Sequence, residues 1–169
     1  SQEIEAIKKY IDNGGKAIFF VDGVWVEDSL STIPAKHNLF SLLAGYGITL
    51  NTDLILSANA ELVNFGNSQI SFLSPYPFWL KTNVFNTKTS YFSNIQQLTF
   101  PWVSSVTGGN GLIKTTNKSW EQKNNYLLNP QNIPQPQNAD LKVFTIAAES
   151  RNKNILVIIL NNILKNLTE

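Results

Sequence analysis

Apolar residues at the start of the chain change from a helical period to an unbroken run. Isoleucines recur at helical spacing over residues 4–11, and Gly14 and Gly15 follow where such a helix would end. Residues 17–21 are then continuously apolar, with aromatic and branched side chains. A run without alternation is typical of a strand covered on both faces, as in a parallel sheet between helices. The pattern therefore predicts a helix over residues 4–11 and a central, buried strand over residues 17–21.

Similar patterns recur further along the chain. A second helical stripe covers residues 39–44, and residues 48–57 return as extended segments. Residues 155–160 form another continuous apolar run, and residues 163–167 are expected to begin a further helix. We therefore expect an α/β fold in which residues 17–21 and 155–160 are buried strands of one mostly parallel sheet, with helices on both faces.

The middle of the chain is less regular. Pro75 and Pro77 impose extended geometry on a segment that presents Trp79, and a later proline introduces an apolar strand that contains Trp102. Each tryptophan either caps the core beneath a loop or stacks on a ligand, and the first interpretation is favoured because aromatic side chains usually supply core area. Residues 119–136 are rich in Asn, Gln and Pro, which predicts a long exposed loop.

Composition limits the classes of function. The 169 residues are 43% hydrophobic, which suffices for one sizeable core, so we expect a single soluble domain. Thirteen basic and twelve acidic residues give a formal net charge of +1, which argues against a nucleic-acid partner. Cysteine is absent, so the chain has neither a disulfide nor a thiolate nucleophile. Methionine is absent even at the start, and we therefore expect a fragment of a longer polypeptide.

Candidate catalytic groups are sparse. His37 is the only imidazole, and its position just before a predicted helix is typical of an ordinary solvated side chain. The nucleophile-elbow pattern G-x-S-x-G is missing, so a serine triad finds no support. Asp22 and Asp28 come nearest to a carboxylate pair, but one histidine and scattered acids do not supply a metal-ligand set. We therefore predict no catalytic residue, no metal site and no cofactor.

Asp22 nevertheless occupies a position at which open α/β sheets bind ligands. It follows the strand predicted at residues 17–21, and the carboxyl ends of such strands border a crevice. Trp25 lies in the loop that starts there, beside acidic acceptors, which is the mixture that a shallow polar-ligand site requires. We predict that Asp22 and Trp25 bind a small polar ligand such as a sugar, with Trp79 as a third member of the site.

Five segments, in this order, resemble the auxiliary domain of gliding-motility-type (GldG-like) ABC transport systems. That family is similar to a domain of an intraflagellar transport subunit, and both are regarded as relatives of the class I glutamine amidotransferase-like α/β fold. The segments are IKKYIDNGGKAIFFVDG at residues 7–23, NLFSLLAGYGITLNTDLIL at 38–56, YPFWLKT at 76–82, LTFPWVSSV at 98–106 and KTTNKSW at 114–120.

The resemblance implies a Rossmann-like, amidotransferase-type sheet that lacks an upstream strand and is therefore truncated at its N-terminus. It also implies an extracytoplasmic (periplasmic) domain of a membrane-anchored protein whose partners are other subunits of an ABC transport system. Because a class I amidotransferase needs a cysteine thiolate, we expect a non-catalytic domain that binds a ligand or partner. Two alternatives remain open: a protein-interaction module of a cell-envelope complex, and a cryptic hydrolase in which Asp22 and His37 lie within hydrogen-bond reach.

Overall fold

The computed structural model describes residues 1–66, 69, 71–152 and 154–159. The helices of this part are α1 (Gln2–Asp12) and α2 (Leu39–Gly45), with short 3-10 turns at Pro130–Asn132 and Asn138–Asp140. The strands are β1 (Ala17–Val21), β2 (Val24–Val26), β3 (Thr32–Pro34), β4 (Ile48–Leu50), β5 (Asp53–Ser57), β6 (Ala60–Gly66), β7 (Ser71–Thr82), β8 (Val84–Phe85), β9 (Leu98–Pro101), β10 (Val106–Gly108), β11 (Asn110–Lys114), β12 (Ser119–Lys123), β13 (Thr145–Glu149) and β14 (Ile155–Ile159).

The largest sheet has five strands in the order β1-β14-β13-β11-β8. In this sheet β1 and β14 run parallel, whereas the other three neighbouring pairs are antiparallel. The remaining strands form the antiparallel pairs β4–β10, β5–β12 and β2–β3 and the antiparallel sheet β6-β7-β9. With 44% strand and 15% helix, the structure is mostly β. The predicted Rossmann-like, mostly parallel α/β fold of amidotransferase type is therefore wrong.

The error begins with β1, which is an edge strand of the five-stranded sheet and not a central one. Phe19 and Val21 contribute to the main hydrophobic core, whereas Ile18 and Phe20 are 60% and 51% exposed. Alternate side chains of a strand point to opposite faces. An unbroken apolar run predicts cover on both faces, but here one face is covered and the other is open to solvent.

Three local predictions are confirmed. Residues 155–159 form a strand of the same sheet as β1 and pair with it in parallel. Helices are present at residues 4–11 and 39–44, as α1 and α2. The last residue of the predicted strand, 160, and the helix predicted at residues 163–167 lie outside the described residues.

Both helices pack into the main core. α1 contributes Ile11 and α2 contributes Leu43, and each is almost completely buried. The residue that follows α2 also contacts α1, because the Tyr46 hydroxyl donates a hydrogen bond to Asp12 Oδ1 at 2.6 Å. The prediction of helices on both faces is therefore wrong for β1, whose Ile18 side chain stands on the open face.

A second hydrophobic core lies among the short sheets. The long strand β7 supports it, and Pro77 is tolerated there because it falls where the register between β6 and β7 shifts, after the pair Glu61 and Tyr76. Such an irregularity does not need the N–H that proline lacks. The buried members of this second core are Val24, Val26, Leu54, Leu56, Tyr76, Phe78, Trp120 and Leu128.

The loop predicted at residues 119–136 is shorter than expected. Its first five residues form β12, which pairs with β5 and buries Trp120 in the second core. Asn- and Gln-rich composition suggests a loop, but a strand in register with a buried neighbour overrides that tendency. Among the residues that the structure describes, no helix combines the length and the apolar character needed to cross a membrane.

Candidate functional site

The candidate site lies at the carboxyl end of β1, where the chain turns into β2. Gly23 makes this turn under tight packing, since a Cβ on it would clash with the main-chain oxygen of Asn51 and lie 2.5 Å from Ser104 Oγ. The main-chain N–H of Ala35 donates to the oxygen of Gly23 at 3.0 Å. This hydrogen bond ties the segment that precedes α2 to the end of β1.

The connection places His37 beside Asp22. The imidazole is half-buried, packs edge-on against Phe40 with 4.4 Å between ring centroids, and lies beside the main chain of Asp22. The expected solvated histidine does precede a helix, but its ring is partly withdrawn from solvent. No spacing in the sequence indicates this contact, because it depends on the hydrogen bond between two loops. We refer to these two residues as the Asp22–His37 pair.

Two polar atoms of the Asp22–His37 pair, Asp22 Oδ1 and His37 Nδ1, are buried without a hydrogen-bond partner in the described part of the chain. Burial raises the pKa of Asp22 to about 6. Burial also lowers the pKa of His37, and the polar contact with the Asp22 main chain opposes that shift. Near neutral pH the pair therefore offers a carboxyl group close to its titration point and a neutral imidazole. Such groups can accept and donate hydrogen bonds to a polar molecule.

A hydrogen-bonded polar cluster lies beneath the Gly23 turn. The Asp53 carboxylate accepts hydrogen bonds from the Ser105 N–H at 2.7 Å and from the Ser105 hydroxyl at 2.6 Å. Burial raises the pKa of Asp53, and the bonds from Ser105 oppose that shift. The Ser104 hydroxyl is fully buried and donates to the Asp53 main-chain oxygen at 2.6 Å. Ser104 is thus committed to the fold and is not placed to act as a nucleophile.

Trp25 lies on the exposed face of the β2–β3 hairpin. Its side chain is 42% exposed and stands opposite the exposed Ile33, while the neighbouring Val24 and Val26 are buried in the second core. Chain connectivity keeps Trp25 near Asp22, but Trp25 is exposed to solvent whereas Asp22 is partly buried. Trp25 is available as the apolar wall of a surface site and is not a lid on the core.

Trp79 belongs to an aromatic cluster at the edge of the second core. Its ring meets that of Trp102 edge-on, with 5.6 Å between centroids, and its buried Nε1 has no hydrogen-bond partner in the described part of the chain. Trp102 Nε1 donates to the Tyr76 hydroxyl at 3.4 Å, and that hydroxyl donates to the main-chain oxygen of Leu128 at 2.8 Å. The partly buried Trp79 packs against the second core, to which Asp22 and Trp25 do not belong. This packing favours the core-capping interpretation of Trp79.

Among the described residues, three surface hollows are lined by residues other than Asp22 and His37. One, of about 320 Å³, lies between β12 and the segment at 134–140, and Gln122 in its lining has a buried Nε2 without a partner among the described residues. The other two, of about 340 and 330 Å³, lie beside β8 and between the two helices. Within the described residues, no group of three histidine or acidic side chains is arranged to hold a metal ion.

The comparisons with known proteins gave one finding. Residues 1–154 match the model of a family described as an ABC-type uncharacterized transport system, whose members are auxiliary components. The searches of curated proteins and of solved structures gave no match.

Proposed function

Because the chain belongs to this family of ABC-type transport-system auxiliary components, we propose that it is an extracytoplasmic domain that binds a polar ligand and is not an enzyme. The family supports the association with transport. The likeness to gliding-motility-type systems supports the extracytoplasmic location. One observation carries the binding role: in the Asp22–His37 pair, Asp22 Oδ1 and His37 Nδ1 are buried without a partner among the described residues.

The cost of that arrangement is the argument for a ligand. A buried polar group without a hydrogen bond costs about 1 to 3 kcal/mol, so native structures satisfy nearly all such groups. Asp22 carries this cost at the carboxyl end of a strand, with the exposed Trp25 a few residues away. A polar molecule with its own donors and acceptors would recover the lost hydrogen bonds, and the indole would supply an apolar contact. Sugars combine both features.

A catalytic role has less support from the geometry. The His37 ring lies beside the main chain of Asp22, whereas a triad needs the carboxylate to orient the imidazole. The hydroxyl packed against Gly23, that of Ser104, is fully buried and hydrogen-bonded. If the purified domain hydrolysed generic esters or amides and His37→Ala abolished that activity, the cryptic hydrolase would replace the binding role.

Titration with a panel of glycans and metabolites, followed by tryptophan fluorescence, tests the binding role. Wild type is expected to bind one class saturably. Asp22→Ala and His37→Gln are expected to weaken binding about tenfold each, since one hydrogen bond to a buried group contributes about 1.4 kcal/mol. Trp25→Phe should remove most of the fluorescence change. The matched control is Asp28→Ala, because Asp28 is exposed in the nearby β2–β3 turn.

Two outcomes would overturn the proposed site. Saturable binding that survives both Asp22→Ala and His37→Gln would place the ligand elsewhere, with the hollow beside Gln122 as the next candidate. No binding by the intact domain would favour the protein-interaction module. A specific observation supports that alternative: Leu62 and Leu73 on the β6–β7 hairpin are both more than half exposed.

The proposed location has its own test. An epitope tag placed at an accessible position in this domain of the full-length protein should be lost to external protease once the outer layers of the cell envelope are opened. Cleavage only after the cytoplasmic membrane is broken would contradict an extracytoplasmic domain.

A further inference from the structure

One edge of β1 has backbone groups with which no strand of the described residues pairs. The main-chain N–H of Ala17 donates to the oxygen of Asn154 at 2.9 Å, so Ala17 faces β14. Main-chain groups of successive strand residues point to opposite sides in the plane of the sheet. Those of Phe19 therefore also face β14, and those of Ile18 and Phe20 face the other way. In the described part of the chain no strand pairs with that side of β1.

This edge also lacks the features that usually protect an edge strand. Proteins block exposed edges with charges, prolines, bulges or very short strands. The other edge strand of the same sheet, β8, has only two residues. β6, an edge strand of the three-stranded sheet, carries Glu61, which forms an ion pair with Lys81 at 3.7 Å. β1 is a regular five-residue strand, AIFFV, without a charged residue or a proline, and its exposed side chains are Ile18 and Phe20.

We propose that β1 pairs with β1 of a second copy of this chain, antiparallel and around a two-fold axis at Phe19. Two five-stranded sheets then join into one continuous sheet. A two-fold axis perpendicular to the sheet requires the two edge strands to run antiparallel, and it lets one surface serve both subunits. The proposal does not depend on the ligand role of the Asp22–His37 pair.

The sequence around β1 selects this register. With the axis at Phe19, Ile18 faces Phe20 of the second copy, and both pairs of outward-facing backbone groups form hydrogen bonds. Just beyond the strand, the same register places the exposed Lys16 opposite Asp22 of the second copy, whose carboxyl group keeps Oδ1 buried.

The neighbouring registers lack this match. An axis at Ile18 would set Phe20 against Lys16, and an axis at Phe20 would set Ile18 against Asp22. Each places an apolar side chain opposite a charged one, which forfeits the favourable cross-strand pair. Shifting the axis by half a residue would also bring outward-facing groups opposite inward-facing ones, so the hydrogen bonds would be lost.

The joined sheet also covers apolar surface. In the proposed register the Ile18 and Phe20 side chains of both copies lie on one face, because directly opposed residues of an antiparallel pair share a face. On β14 their neighbours on that face are Leu156 and Ile158, both half-buried. Five-residue edges bury less surface than a standard interface of about 1,600 Å², so we expect a weak, concentration-dependent dimer.

Sedimentation velocity over a range of concentrations tests the association. The 169-residue chain is expected to shift from monomer towards dimer as its concentration rises. Ile18→Lys should leave a monomer at every concentration, because it brings charge to both β1–β1 contacts. The matched control is Ile33→Lys, which changes a similarly exposed isoleucine on β3 and should dimerise like wild type. Thermal melting of each variant confirms that it is folded.

Disulfide trapping tests the register. The chain contains no cysteine, so single substitutions report specific contacts. Ile18→Cys and Phe20→Cys, mixed and oxidised, should form the mixed disulfide in preference to either like disulfide. The expected Cα separation of a hydrogen-bonded pair, about 5.5 Å, suits a disulfide. A monomer at all concentrations would overturn the proposal, as would a dimer that Ile18→Lys leaves intact. Preferential trapping of either variant with itself would overturn the proposed register.

Discussion

Replacing Asp22 by asparagine is expected to stabilise the folded protein at neutral pH. Burial raises the pKa of this carboxyl to about 6 from an ordinary value of 3.8. The folded state therefore binds the proton more tightly than the unfolded state does. The contribution of Asp22 to stability is greatest below pH 3.8, where the carboxyl is protonated in both states, and it is lost as the pH rises through 6. Asparagine has the same shape but cannot ionise, so Asp22→Asn removes that loss.

The shift sets the size of the effect. A rise of about two pKa units corresponds to about 3 kcal/mol if it is expressed in full. The Asp22 side chain is only partly buried, and solvent screening weakens the penalty, so we expect about 1 to 2 kcal/mol. The free energy of unfolding of Asp22→Asn should exceed that of the wild type by this amount at pH 7.5. At pH 3.5 the two proteins should agree within a few tenths of a kcal/mol.

Urea unfolding between pH 3.5 and 8, followed by tryptophan fluorescence, measures the difference. His37 is in contact with Asp22 and also titrates in this range, so the comparison is repeated in a His37→Gln background. Asp28→Asn is the control, because Asp28 is exposed and should show little effect. If Asp22→Asn were less stable than wild type at pH 7.5, with no loss at pH 3.5, the carboxylate would be favourably bonded in the folded state. The argument from burial would then fail, and with it the case for a ligand at the Asp22–His37 pair.

Three further substitutions test the packing around this site, each by urea unfolding at pH 7.5. Gly23→Ala should lower the free energy of unfolding by about 3 kcal/mol, because its Cβ would clash with a main-chain oxygen. The control Gly45→Ala has open space around it and should be neutral or stabilising by up to about 1 kcal/mol. Equal effects of the two substitutions would contradict the close packing at Gly23. Asp53→Ala should cost about 2 to 4 kcal/mol, since it leaves two buried donors of Ser105 without an acceptor, and a loss under 1 kcal/mol would contradict that role. Leu30→Gly should stabilise the protein by about 1 kcal/mol, because Leu30 has a φ of 61°, a conformation that strains a residue with a Cβ. Destabilisation would show that the contacts of the Leu30 side chain outweigh this backbone strain.

The parts of the fold that the sequence predicted are those set by neighbouring residues. The isoleucine period over residues 4–11 produces α1, and the stripe at residues 39–44 produces α2. The strands at residues 17–21 and 155–159 are present because branched and aromatic runs favour extended backbone. Their pairing followed from a further expectation, that two such runs share one sheet.

The fold class was beyond the reach of this reasoning because it depends on which strands become neighbours. β1 is apolar throughout although only one of its faces is covered, so hydrophobicity alone could not distinguish an edge from a centre. β12 was predicted as a loop because its composition is polar: Glu121 and Gln122 lie within it beside the buried Trp120. Its place is fixed by pairing with β5, far away in the sequence. Long-range antiparallel pairing of this kind leaves little trace in a local period.

Only part of the candidate site could be predicted from the sequence, because the rest also depends on long-range packing. Asp22 could be placed at the end of a strand from the sequence, but its burial depends on the two cores on either side of it. Val21 packs into the main core, and Val24, just beyond Gly23, packs into the second core. Asp22 therefore lies where the chain passes from one apolar region to the other, and the segment carrying His37 withdraws it further from water. The same passage explains the tight turn at Gly23, since two cores can meet there only if the backbones approach closely. The raised pKa of Asp22 is thus a consequence of how the two cores are joined, and any ligand bound at the Asp22–His37 pair would contact the junction between them.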